Sequence, residues 1–148
     1  MNTTEALPAN IREFSEVTAV IFAQLYVSFP IPRLIDIQEV AATLGLNPLT
    51  EMPSGRGFND IFSHTLSWLI RENYIQALAS VPRDRCVLTT RALMAMNVVP
   101  PTLNQTLGSE LAEAAKQAPS QAGKNRMVDL IADFIGNVLG SAAKSMME

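Results

Sequence analysis

A chain of 148 residues with 48% hydrophobic and 17% charged residues has enough apolar surface for a compact core and too little charge for a disordered chain. A single Cys (Cys86) excludes an internal disulfide, and a single His (His64) excludes any site built on two imidazoles. The net charge is −3, and all three lysines (Lys116, Lys124, Lys144) fall in the last third. Residues 1–101 carry seven Arg against nine Asp and Glu, so no block of basic residues stands out as a phosphate-binding face.

Met1–Asn10 lacks the basic region of a signal peptide, and the apolar stretch Val17–Phe29 is interrupted by Gln24 and too short to span a bilayer. A cytoplasmic protein is therefore expected. Phe14–Val27 is apolar on nearly every side, the pattern of a buried helix, and a helix over about 14–28 is predicted. After Pro30 and Pro32, Asp36 can cap a short helix with Glu39 three residues on, and Gly45 closes it. Between them Ile37, Val40, Ala41 and Leu44 form one apolar stripe.

The loop Asn47–Gly57 holds two prolines and two glycines and leads into a longer helix over about 57–73. Phe58, Ile61, Phe62, Thr65, Leu69 and Tyr74 mark its inner face, with Trp68 near the edge. Its outer face reads Asn59, Asp60, Ser63, His64, Ser67 and Arg71. At Tyr74–Ile75 the period switches from 3.6 to 2, which predicts strands near 75–81 and 86–89 joined by a turn at Pro82-Arg83-Asp84-Arg85. Thr89 or Thr90 then caps a helix through Leu93, Met94 and Met96.

Pro100-Pro101 marks a break, giving an expected domain over 1–101 and a helical extension over 102–148. In the extension, Leu103, Leu107, Leu111 and Ala115 stripe a helix over Thr102–Ala118, and a final helix is expected from about Lys124. The final helix is apolar on most of its circumference, with only Asp129, Asp133, Asn137 and Lys144 forming a polar strip. Such a helix must be covered by its own domain, by a second copy or by a membrane. Ala132, Gly136 and Gly140 recur every four residues, the spacing that lets two helix backbones approach closely. Self-association is the favoured expectation, with Ile131, Phe134, Ile135, Gly136, Val138, Leu139 and Gly140 as candidate interface residues. Membrane binding is disfavoured, because the polar strip carries two Asp before a single Lys.

The order helix, short helix, long helix, hairpin, helix resembles the winged-helix (winged helix-turn-helix) superfamily over about residues 11–98. Leu66-Ser67-Trp68-Leu69-Ile70-Arg71-Glu72-Asn73-Tyr74-Ile75 resembles its third helix running into the wing. Val87-Leu88-Thr89-Thr90-Arg91-Ala92-Leu93 resembles the returning strand and capped helix. The resemblance implies a mainly α fold with one small β-hairpin, here followed by two C-terminal helices. It implies a third helix that enters the major groove and a wing that touches the backbone or minor groove. Carried onto this chain, the nucleic-acid contact candidates are Asn59, Ser63, His64 and Ser67, with Arg56 and Arg71 at the helix ends and Arg83 and Arg85 on the wing.

Catalytic and metal patterns are weak. His64 could meet Ser67 at i, i+3, yet no orienting acid accompanies them, and one His, one Cys and scattered carboxylates give no zinc-type spacing. No enzyme activity, cofactor or metal is expected. The expected function is a non-catalytic winged-helix interaction module that self-associates through its C-terminal helices and contacts a protein partner. The alternative is a DNA-binding regulator of the same fold.

Overall fold

The computed structural model describes residues 7–78, 85–99 and 103–147, and for 135–147 the helical backbone alone. The elements in chain order are helix α1 (Ala9–Ser28), α2 (Ile37–Thr43), α3 (Phe58–Arg71), strands β1 (Ile75–Leu78) and β2 (Arg85–Leu88), α4 (Thr90–Met96), α5 (Leu107–Ala115) and α6 (Gln121–Met147). This is a mainly helical fold with one two-stranded antiparallel hairpin.

Helix α1 is the centre of the molecule. Val17, Ala19, Val20, Ile21, Phe22 and Leu25 are all buried, because α3, α5 and α6 pack around it. It begins five residues before the apolar pattern, directly after Pro8, and carries Arg12 and Glu13 on that extra length. It stops at Ser28, since Phe29 precedes Pro30 and the residue before a proline is pushed out of the helical region.

Asp36 caps α2 by accepting from the Gln38 amide at 3.2 Å, and Gly45 follows the helix with φ +75°, a conformation glycine adopts without steric cost. Glu39 lies 2.6 Å from the Arg33 guanidinium. The loop after α2 is well structured. Asn47 Oδ1 accepts from the Leu49 amide, and Glu51 pairs with Gly57 across a tight turn at Met52–Gly55.

Helix α3 buries Phe58, Phe62, Thr65, Leu66 and Leu69. It ends at Arg71 rather than Asn73, because Asn73 sits in the left-handed region (φ 67°). The Asn73 amide donates to Ile70 O and the Tyr74 amide to Leu69 O, the paired closure that satisfies a helix's last carbonyls. The chain is thereby turned into β1. The hairpin register is Ile75↔Leu88, Gln76↔Val87, Ala77↔Cys86 and Leu78↔Arg85; residues 79–84, including the expected turn and Arg83, lie outside the described residues. On the other side of β2, Arg33 and Cys86 exchange both backbone hydrogen bonds, at 2.9 and 2.8 Å. Thr89 caps α4 through the Ala92 amide while its hydroxyl donates to Asn73 O at 2.7 Å, tying that helix to the end of α3.

The C-terminal helices belong to the same core as the rest. Leu107, Leu111, Ala114, Met127, Leu130, Ile131 and Phe134 join one hydrophobic cluster with α1, α3 and the hairpin. Phe134 meets the Phe22 ring at 4.9 Å and the Tyr74 ring at 5.4 Å between centroids. The expected division between 1–101 and 102–148 therefore does not separate two cores. Helix α5 is shorter than the stripe suggested, starting where Thr106 caps it through Ser109. Helix α6 starts at Gln121, three residues earlier than expected, because Ser120 takes the Gly123 amide on its hydroxyl and the Lys124 amide on its carbonyl. Gly108 lets the Tyr26 ring lie against α5: a Cβ there would fall 2.5 Å from it.

Candidate nucleic-acid interface and a polar cleft

Successive α3 residues turn by 100°, so positions 59, 63 and 67 drift slowly around one side while 58, 62, 65, 66 and 69 hold the other against the core. Asn59, His64, Ser67 and Arg71 are exposed, and Ser63 is half-buried. Arg56, also exposed, stands just before the helix, where its carbonyl accepts the Met52 amide at 2.7 Å. Arg85 is exposed on β2. Asn59, Ser63, His64, Ser67 and Arg71 thus share the outer face of α3 with Asp60 among them, and Arg56 stands just before its start.

Beside this face a cavity of about 370 Å³ opens between the start of α1 and α3, lined by Asn10, Phe14, Arg56, Asp60, His64 and Thr65. It brings Arg56 and His64 together and leaves Asn59, Ser63 and Ser67 outside. Among the described residues, His64 has no hydrogen bond to Ser63 or Ser67, and no three His, Cys, Asp or Glu side chains cluster closely enough to hold a metal.

The arginines divide by partner. Arg12 pairs with Glu16, Arg33 with Glu39 and Arg126 with Glu110, while Arg91 lies 4.5 Å over the Tyr74 ring and donates to Glu72 O. Arg56, Arg71 and Arg85 have no ion pair among the described residues. All three border α3 or sit on the hairpin.

The candidate oligomer residues have a different fate. Ile131 and Phe134 are fully buried within the chain, so they are corrected here from interface to core. The side chains of Ile135, Gly136, Val138, Leu139 and Gly140 lie outside the described residues. Farther back on α6, burial and then the neighbouring Asp129 raise the Asp133 carboxyl above its ordinary range, with Arg126 opposing. Cys86 is fully buried and its thiol is pushed up by that burial, which removes thiolate reactivity.

A second polar site is absent from the sequence reading. Two acids of α1, Glu13 and Glu16, are buried. Glu13 Oε2 accepts the Ser54 amide at 2.8 Å, while Glu13 Oε1 and Ser54 Oγ have no partner among the described residues. Burial raises the Glu16 carboxyl, against the opposing pull of Lys124 and Arg12. Arg12 also donates to Asn125 on α6. The signal available in sequence was a pair of acids at the mouth of an otherwise apolar helix.

Comparison with protein-family models, curated proteins and solved structures returns no match for this chain.

Proposed function

We propose that this chain is a non-catalytic winged-helix interaction module whose working surface is the outer face of α3 with the hairpin beside it, and that duplex DNA is the partner this surface suits. One observation carries the reading. The described arginines without an acidic partner or backbone tether are Arg56, Arg71 and Arg85, and they stand at the two ends of α3 and on β2. An arginine left unpaired is available to a phosphate, and Asn59 between them can pair with adenine. The Arg33–Cys86 pairing supports the winged-helix reading, since it adds a third, one-residue strand contributed from between α1 and α2.

Fluorescence anisotropy with a labelled duplex library tests this. Arg83→Ala with Arg85→Ala should weaken binding evenly across sequences, and Asn59→Ala should alter which sequence is preferred. Unchanged affinity and preference in all of these variants would remove the interface.

A second reading, self-association, rests on the length of α6. Its helix continues through Met147, beyond Phe134, and the sequence there holds Ile135, Val138, Leu139 and Met146 with Gly136 and Gly140. Light scattering during size exclusion should give a multiple of the chain mass, reduced by Gly136→Leu or Gly140→Leu. A monomeric wild type would end this reading.

A further inference from the structure

The cavity between the start of α1 and α3 holds one cation, one anion and one group that is either neutral or charged. Arg56 and Asp60 line it together with His64, the only histidine in the chain, and Asn10 and Phe14 form the wall from α1. Arg56, Asp60, His64 and Asn10 are all exposed, so a ligand reaches each of them. Among the described residues, the Arg56 and His64 side chains have neither an ion pair nor a hydrogen bond. No further titratable side chain among the described residues lines the cavity. The nearest charges on α1 are turned elsewhere, Arg12 to Glu16 and Asn125, Glu13 to the Ser54 amide. Arg56 and Asp60 offset one another. The cavity is therefore without net charge while His64 is neutral, and positive once it is protonated.

We propose that this cavity seats one phosphate of the duplex between Arg56, His64 and the Asn10 side-chain amide, and that His64 takes up a proton as the phosphate enters, so that DNA binding tightens as pH falls. The inference rests on the DNA reading of the α3 face and adds a regulation to it. A phosphate favours the imidazolium over the neutral ring, so the complex holds more protons than the free chain. Affinity then rises as pH falls through the range where imidazole titrates. Asp60 stands one turn before His64 and repels the phosphate throughout that range, and the imidazolium is what offsets it. Asn10 donates its amide without any change of charge. Arginine keeps its charge at every pH concerned, so at pH 8 the salt dependence of binding reports the arginines alone. His64 is thereby a phosphate contact with a proton attached to it, rather than a reader of bases.

Fluorescence anisotropy of the full chain with one labelled duplex, at pH 6 and pH 8 and constant ionic strength, reads the link. Wild type should bind about fivefold more tightly at pH 6, the change expected where one phosphate faces one imidazole. His64→Gln should bind alike at both pH values. His64→Lys, whose charge is fixed, should also bind alike at both, and more tightly than His64→Gln. His64 is exposed, so neither substitution disturbs the core. Proton NMR of the one histidine ring should show it titrating at higher pH in the complex than in the free chain. Equal wild-type affinity at pH 6 and pH 8, or a ring that titrates alike free and bound, overturns the proton link, while arginine-dependent binding still upholds the DNA reading. A pH dependence that persists in His64→Gln overturns the link as well. A chain that binds no duplex at either pH overturns both.

Discussion

Replacing Phe134 by alanine removes a ring that is 1% exposed and contacts Phe22 and Tyr74 at 4.9 and 5.4 Å, thereby uncoupling α6 from α1 and from the start of the hairpin. Phe-to-Ala changes in packed cores cost about 3–5 kcal/mol, and two lost aromatic contacts place this one at about 4. With a urea dependence of about 2 kcal/mol per molar, the unfolding midpoint should fall by about 2 M. The assay is urea denaturation followed by circular dichroism at two protein concentrations, so that a loss within the chain is separated from a loss between chains. Met94→Ala, at a side chain 69% exposed, is the control and should stay within about 0.5 kcal/mol of wild type. A Phe134→Ala shift below about 0.5 M, or one that vanishes at high protein concentration, would refute the placement of α6 in the core of its own chain.

Glu16→Gln should reverse a penalty. Burial raises the Glu16 carboxyl in the folded chain, so its ionised form is disfavoured there relative to the unfolded chain. The penalty begins as pH rises past the ordinary glutamate value of about 4.3 and is complete above the raised value, so the variant should exceed wild type in stability at pH 7 and match it near pH 4. Equal stabilities at pH 7 in chemical denaturation would contradict this. Gly123→Ala should lower the thermal midpoint, because its Cβ would lie 2.0 Å from the Gln117 carbonyl oxygen, and a backbone atom cannot yield cheaply. The expected loss of about 1–3 kcal/mol outweighs the helix-propensity gain of about 0.8–1 kcal/mol. Asp129→Asn should stabilise the helix by about 0.2–0.5 kcal/mol by relieving the repulsion with Asp133 one turn on, and a thermal midpoint unchanged or lowered would count against it.

Local chemistry was readable wherever a single short-range rule decided the outcome. Asp36 and Gly45 bracket α2, Thr89 caps α4, and the change of period at Tyr74–Ile75 marks the start of the hairpin, all as the residue order implied. The inner and outer faces of α3 were legible for the same reason, apart from Leu66, which packs in the core beside Thr65. Boundaries set by a distant contact or an unusual dihedral were not. Asn73 in the left-handed region shortens α3, and the one-residue pairing of Arg33 with Cys86 leaves no alternation to read. The apolar circumference of α6 correctly demanded a cover, yet periodicity cannot say whose surface supplies it. Phe22 and Tyr74 supply it at Phe134, far away in sequence. The cleft around Glu13 is hidden for a like reason, since its walls come from three separate stretches of chain.

The proposal that α3 and the hairpin hold duplex DNA is tested most directly by the salt dependence of binding. Each phosphate neutralised by an arginine contributes about −0.9 to the slope of log K against log salt, so Arg56, Arg71 and Arg85 together contribute about −3 to it. At pH 8, the variant carrying Arg56→Ala, Arg71→Ala and Arg85→Ala should bind more weakly, with a slope smaller in magnitude by about 3, any remainder belonging to Arg83. A wild type that does not bind duplex DNA at low salt, or a triple variant that keeps the wild-type slope, would contradict the account.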